Sequence, residues 1–415
     1  MRSTVKRSTR MSGLVLSAAL GMAPLAAFAE VNQPVLDKAE RYQGEALALL
    51  ERLVNIDSGS GYEKGLTQVR DIAVDELKKL GARIETFPST PDTGTNVVAT
   101  FTGTGKAKIL LMAHTDTVFK EGTAAARPFH VKDGRAYGPG VMDDKGGIVI
   151  GLYALKILHD LGFKDYAQIT FLLDTNEETG SAGTSALIEK VARQHDVTLN
   201  LEPGRVADGL VIWRKGSATV KVEVKGKTAH AGVAPDSGRN AAMEAAHQML
   251  QLAQLADREK QTSVHFTVVH SGDRKNVIPD SATALADVRA STPEEFDRVE
   301  KDLARVSANK LIQGTTVTTT LVRGLPPMPQ TAKQDALAAK AQAIYAEIGR
   351  KLTLEGSGGA ADASLSAGVG TLTLDGFGIV GGGIHTENEY AEVGSIVPRC
   401  YLLTRMLMAL SADVK

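Results

Sequence analysis

The stretch Lys108-Ile-Leu-Leu-Met-Ala113 runs directly into His114-Thr-Asp116-Thr-Val118. Its apolar core has no polar interruption, which is how a strand covered on both faces reads in a parallel sheet. It ends on a histidine followed by an aspartate. In open α/β sheets, ligands bind beyond the carboxyl ends of the strands. A second buried run, Ile169-Thr-Phe-Leu-Leu173, ends in Asp174-Thr-Asn-Glu177-Glu178-Thr-Gly180-Ser181. A third, over 197–201, delivers Glu202-Pro203-Gly204. Three strands of one sheet would thus present polar groups at one edge.

Helical patterns surround these runs. Leu66, Val69, Ile72, Ala73 and Leu77 recur at helical spacing. The pattern predicts helices over 34–55, 62–80, 146–161, 182–194 and 332–349, and a further strand over 96–101. Strands alternating with helices imply an α/β fold, a mainly parallel sheet with helices on both faces. From about residue 215 the texture changes. Ala218, Val220, Val222 and Val224 alternate with polar residues, as in a half-exposed strand. A helix over 240–255, strands over 263–269 and 282–290, a helix over 293–309 and a strand over 315–322 complete a β-α-β-β-α-β order. That is the ferredoxin-like plan. Leu325-Pro-Pro-Met-Pro329 closes it as a stiff, extended linker. The expected layout is a catalytic domain over 30–214 and 326–415 with an α+β insert at 215–325.

Length agrees, since 415 residues exceed the usual size of one domain. With 47 basic and 48 acidic residues the formal charge is −1, which does not suggest a nucleic-acid binder. A single cysteine, Cys400, excludes an intramolecular disulfide framework and a multi-cysteine zinc site. It lies in a C-terminal apolar helix and reads as a buried, inert thiol. Residues 1–29 carry Arg2, Lys6, Arg7 and Arg10 and no acid, then an apolar run ending in Ala27-Phe28-Ala29. This is the pattern of a cleaved secretory signal peptide, so a periplasmic or secreted bacterial protein is expected. Losing those four positive charges takes the formal charge from −1 to −5. No later segment is expected to be apolar enough to span a membrane.

Gly138-Pro-Gly-Val-Met-Asp143-Asp144-Lys145-Gly146-Gly147 precedes an apolar helix. Either aspartate could cap that helix, which leaves the other for chemistry. Gly381–Gly383 leads to Ile384-His385-Thr-Glu-Asn388-Glu389-Tyr390. Alone, each of these histidines and acidic pairs reads as an ordinary loop. Together, His114, Asp143, Glu178, Glu202 and His385 form a nitrogen and oxygen donor set without thiolate, suited to two Zn2+ ions. Five ligands on two ions require a shared carboxylate and leave room for a water. Paired ions can activate that water and polarise a carbonyl. A neighbouring glutamate can serve as general base.

The ordered set His114-x-Asp116, Gly140-x-x-Asp143-Asp144-Lys145-Gly146-Gly147, Glu177-Glu178-x-Gly180-Ser181, Glu202-Pro203 and His385 resembles the di-zinc peptidase family. That family includes acetylornithine deacetylase, succinyl-diaminopimelate desuccinylase, aminoacylase and glutamate carboxypeptidase. The likeness is strongest to its secreted glutamate carboxypeptidases, through Leu53-Val-Asn-Ile-Asp57, Ala136-Tyr-Gly-Pro-Gly140, Ala229-His-Ala-Gly232, Asn276-Val-Ile-Pro279 and Ala286-Asp-Val-Arg289.

The resemblance implies that His114 and Glu202 hold one zinc and Glu178 and His385 the other. Asp143 would bridge them, Asp116 orient His114, and Glu177 act as general base. It implies that His230 steadies the oxyanion, that Asn276 and Arg289 hold the substrate carboxylate, and that Arg323 reads a glutamate side chain. It also implies a homodimer joined through the insert. The expected reaction releases a C-terminal amino acid, glutamate above all, from an N-acyl or peptidyl, folate-like substrate. An N-acyl amino acid deacylase or dipeptidase is the alternative, and a non-catalytic periplasmic binding protein a remoter one. One departure stands out: the family's Gly-Gly-Gly-Thr-Asp-Ala loop is here Gly358-Gly-Ala-Ala-Asp362-Ala363. The other histidines, 130, 159, 195, 247, 265 and 270, have no matching partners and read as structural or surface groups.

Overall fold

In the computed structural model, which describes residues 30–413, strand Lys108–His114 lies inside a six-stranded sheet. The order is Arg83–Pro88, Thr95–Thr102, Gln168–Asp174, Lys108–His114, Val197–Asn200 and Leu372–Leu374. Thr95–Thr102 is antiparallel to both of its neighbours, and the remaining pairs are parallel. Five strands therefore run one way and one against them, which meets the mainly parallel expectation. The signal-peptide reading falls on residues 1–29, outside the described residues.

The uninterrupted apolar run now has a cause. Ile109, Leu111 and Ala113 join the core on one face, where helices Gln33–Val54, Lys145–Asp160 and Ile396–Asp413 pack on one another. Leu110 and Met112 point the other way, to Ile188, Val191 and Leu365 of helices Ser185–Ala192 and Ala363–Gly368. Successive strand residues face opposite sides, so a strand between two helical layers must be apolar at every position.

Register sets the site. His114 pairs with Asp174, and Met112 with Asn200. Two strands therefore end level and the third stops two residues short of them, so that His114, Glu177, Glu178 and Glu202 emerge at one edge. Gly147 lets helix Lys145–Asp160 start against the third of these ends, since a Cβ there would fall 2.2 Å from the Leu201 carbonyl oxygen.

A separate four-stranded sheet has the order Ser263–Ser271, Ser281–Ala290, Gly216–Lys225, Thr316–Arg323, with all neighbours antiparallel. Alternate residues Ala218, Val220, Val222, Val224, Ala284, Ala286 and Val288 form its own core. Against them pack Ala245 and Leu252 of helix Ala241–Leu252, and Phe296, Val299 and Leu303 of helix Pro293–Ser307. This is the ferredoxin-like arrangement. Its two connections to the rest of the chain are tied to each other. Arg214 and Met328 exchange backbone hydrogen bonds of 2.9 and 3.0 Å, and Ser217 N–H donates to Leu325 O at 2.9 Å.

Two expectations need correction. Val393–Asp413 is long and apolar enough to pass as a spanning helix, with a mean hydropathy of 1.2. Its apolarity is spent on the core, because 67% of its most apolar 18-residue stretch is buried. Asp144 stands at the N-cap position, but neither it nor Asp143 caps the following helix with its side chain. Its first donors are met by backbone: Lys145 N–H by Gly140 O and Ile148 N–H by Asp144 O. The Asp144 carboxylate turns instead to the backbone N–H of His114, at 3.3 Å.

Candidate metal centre

His114 is 2% exposed and lies at the end of its strand. Its Nδ1 is 3.0 Å from the backbone oxygen of Asp116 and 3.3 Å from Oδ1 of the same residue. A histidine whose Nδ1 proton is so occupied presents an unprotonated Nε2 to a metal. That Nε2 faces Asp143 Oδ1 at 3.1 Å and Glu202 Oε1 at 3.7 Å. On the other side, His385 Nε2 lies 3.1 Å from Asp143 Oδ2 and 3.0 Å from Glu178 Oε2. Asp143 therefore turns one oxygen to each histidine.

Asp116 does more than was expected of it. Fully buried, it accepts the Ser60 hydroxyl at 2.6 Å and the backbone N–H groups of Glu177 and Glu178 at 3.2 and 3.3 Å. One carboxylate thus orients the histidine and pins the glutamate turn, the short 3₁₀ segment Glu177–Thr179.

The electrostatics call for a cation. Burial, with repulsion from Glu202, pushes Glu177 well above the ordinary carboxylate range. Burial and Asp143 raise Glu202 to about 8. Hydrogen bonds to Asp143 and Glu178 raise His385 to about 10. Burial opposes charge on His114, yet Asp116 and Asp143 lift its pKa well above the usual value. Glu178 Oε1 is buried without a hydrogen-bond partner. Ligand atoms of His114, Asp143 and Glu178 lie within 4.8 Å of one another, as do those of His114, Glu177 and Glu202. A bound dication would reverse this pKa logic and hold the carboxylates ionised. The donor set fits a pair of such ions sharing Asp143.

Residues 110–409 match the profile of peptidase family M20/M25/M40. Carboxypeptidase G2 of Pseudomonas sp. (strain RS-16) is 35% identical over 99% of this chain and 100% of its own length. The chain belongs to peptidase family M20/M25/M40. This is the family that the sequence motifs resemble, and it makes the protein a metal-dependent hydrolase with metallocarboxypeptidase relatives. Among solved structures, aminopeptidase PepT of Bacillus cereus ATCC 10987 shares the fold, with a TM-score of 0.75 at 23% identity over 89% of this chain and 98% of that one. So does the Bacillus subtilis YXEP protein, described as a dinuclear metal binding peptidase from the M20 family. Its TM-score is 0.68 at 15% identity, over 91% and 100% of the two chains.

The remaining expected site residues stand apart from this cluster, on or beside the four-stranded sheet. His230 is exposed, and its Nδ1 accepts the N–H groups of Gly232 and Val233 at 3.2 Å each. In the neutral ring the proton then sits on Nε2. Short pairing of Ala229–His230 with Val277–Ile278 sets His230 beside Asn276, whose carbonyl accepts Ala231 N–H. Arg289 donates to both Asp287 oxygens at 3.0–3.1 Å. Arg323 donates to Asp297 and Glu300, each at 2.6 Å, on the outer side of helix Pro293–Ser307. Among the described residues, no hydrogen bond or ion pair joins these four to the five converging side chains.

Sequence reading missed Arg214. It is 6% exposed, donates through Nε to Asp375, and reaches Glu202 Oε2 at 3.9 Å. Burial opposes its charge, but Asp375 and Glu202 outweigh that and raise its pKa. An isolated arginine in the strand Gly209–Arg214 carries no local signal, because Asp375 is 161 positions away. Of the other residues, His195 is a satisfied core group bonded to Val191 O and Thr170. Cys400 is buried, and burial pushes its thiol up to about 12, so it is inert as expected.

Proposed function

We propose that the chain is a zinc carboxypeptidase that releases a C-terminal amino acid, glutamate above all, from N-acyl or peptidyl, folate-like substrates. The observation that carries this is Asp143, with one carboxylate oxygen facing each of two histidines. In this reading His114 and Glu202 hold one ion, Glu178 and His385 the other, and Asp143 both. Two bound zinc ions would supply a water of lowered pKa and polarise the scissile carbonyl.

Glu177 takes the proton of the attacking water and hands it to the nitrogen of the departing amino acid. Asp116 keeps Glu177 in place through its backbone N–H, so base and ligands share one anchor. Residues 30–214 with 326–415 form the catalytic part and 215–325 a lid and dimerisation part. His230, with its proton on Nε2, would donate to the developing oxyanion. Asn276 and Arg289 would hold the substrate carboxylate. Arg323 can take part only by leaving Asp297 and Glu300. The basic and apolar leader over 1–29 supports export to the periplasm or the medium.

A panel of N-acyl amino acids, dipeptides and folate-type glutamates, run on the zinc-loaded chain without residues 1–29, tests the substrate. Preferential release of glutamate is expected. Preference for another product would replace glutamate by the deacylase or dipeptidase reading. A monomeric mass by light scattering at micromolar concentration would remove the dimer.

A further inference from the structure

Four residues beyond His385 the chain buries a carboxylate that the reading above leaves without a task. Glu389 is 1% exposed. Its Oε1 accepts the backbone N–H groups of Met142 and Asp143 at 2.9 and 3.0 Å. Its Oε2 accepts that of Gly140 at 3.1 Å. All three donors belong to the loop that carries Asp143. Lys145, close by, is committed elsewhere, with Nζ on the carbonyls of Ile56 at 2.7 Å and Pro139 at 3.2 Å.

Three converging N–H groups need a partner that only accepts. A carboxylate offers two such oxygens. A glutamine in the same place would turn an NH₂ toward one of the donors. An aspartate would stop one carbon short. Left unmet, each buried N–H costs the free energy of a lost hydrogen bond.

Glu389 reaches this loop from a tight turn. Gly383 has φ +73°, and a Cβ there would lie 2.5 Å from the Asn388 carbonyl oxygen. Thr386 N–H donates to Gly383 O at 3.1 Å, and Glu389 N–H to Thr386 O at 3.3 Å. Directly after, Tyr390–Glu392 pairs with Arg135–Tyr137, just ahead of the Asp143 loop. One side chain therefore fastens the loop of the shared ligand to the turn that holds His385.

We propose that Glu389 is a positioning residue of the metal centre. Its carboxylate sets the spacing between the Asp143 carboxylate and the His385 imidazole, and with it the grip on the ion between them. The inference rests on the reading of Asp143 and His385 as ligands. Groups that orient metal ligands typically hold 10–100-fold in metal affinity.

The test is zinc affinity, measured by competition with a chromophoric chelator on the full chain and on its Glu389→Gln and Glu389→Asp variants. Thermal unfolding of the metal-free proteins reads the general structural cost separately. Glu389→Gln should weaken at least one of two zinc ions by roughly 10–100-fold. The zinc needed for half-maximal activity should rise in step, and kcat should recover at excess zinc. A purely structural role would lower the melting temperature and leave both affinities alone. Wild-type affinity for both ions in folded Glu389→Gln overturns the inference. If that variant does not fold, the same result in Glu389→Asp overturns it equally. A wild-type chain that fails to bind two ions would instead overturn the metal-centre reading beneath it.

Discussion

At the carboxyl edge of the six-stranded sheet, Asp116, Asp143, Glu178 and Glu202 crowd a buried His114, and His385 closes the cluster from the solvent side with its side chain 52% exposed. On the four-stranded sheet, Arg289 and Arg323 keep to the surface with Asp287, Asp297 and Glu300 as partners. The difference follows from layering. The first sheet is covered on both faces, so any charge at its edge is desolvated and must be paired or bound to a cation. The second has helices on one face only, and Arg289 and Arg323 stay partly in water, whereas Glu244 and Glu295 on its helices are buried. The same residue types should therefore carry large consequences in one region and small ones in the other.

The largest contrast is expected at Glu177. Glu177→Ala should lower kcat by about 10²–10⁴-fold, the usual contribution of a general base. Its thermal unfolding should stay close to wild type, and wild-type turnover would sink the mechanism. Next comes Arg214, the buried partner of Asp375. Arg214→Met should cost about 3–5 kcal/mol in denaturant unfolding, because an unpaired buried carboxylate remains. The double change with Asp375→Leu should recover part of that. If Arg214→Met were as stable as wild type, the pair would not be holding this edge together.

Glu295 probes the second region by pH. Arg298, with the Thr262 hydroxyl, holds its carboxyl at about 2 against the opposing effect of burial. A folded pKa below the unfolded one gives stability that is present above about pH 4.5 and lost as pH falls through about 2. The stability difference between wild type and Glu295→Gln should shrink across that window. A pH-independent difference would contradict it. The smallest effect is expected at Arg323. Its side chain is 43% exposed, and Arg323→Ala should change stability by at most about 1 kcal/mol, as for other surface pairs. A larger loss would mean that the outer face of this region is covered by something else.

These two regions were unequally legible in the sequence. Lys108–His114 could be read because it is apolar on both faces, and 216–225 because it alternates. Arg83–Pro88 could not, since an edge strand with exposed arginine and glutamate satisfies neither pattern. The strands Gly381–Gly382, Tyr390–Glu392, Arg135–Tyr137 and His130–Lys132 were also hidden. They are two or three residues long and exist only through pairing with distant segments. The five side chains that converge at the sheet edge were readable because the chemistry sought there restricts their residue types. Arg214 and Glu389 were not, as the first pairs far along the chain and the second binds backbone N–H groups that any sequence supplies. That neither Asp143 nor Asp144 caps with its side chain was also hidden, because composition cannot tell which way a carboxylate turns.

Helix Ile396–Asp413, packed against Gln33–Val54 and Lys145–Asp160, has a consequence for synthesis. A ribosome makes it after everything it touches. Until it arrives, the apolar faces of the two earlier helices lack their partner, and His385 has only just joined His114, Asp143 and Glu178. The four-stranded sheet needs none of this and is already whole, since all its strands end by Arg323. The nascent chain thus carries a finished module flanked by an unfinished one. Exposure to aggregation and proteolysis should therefore concentrate in residues 30–214.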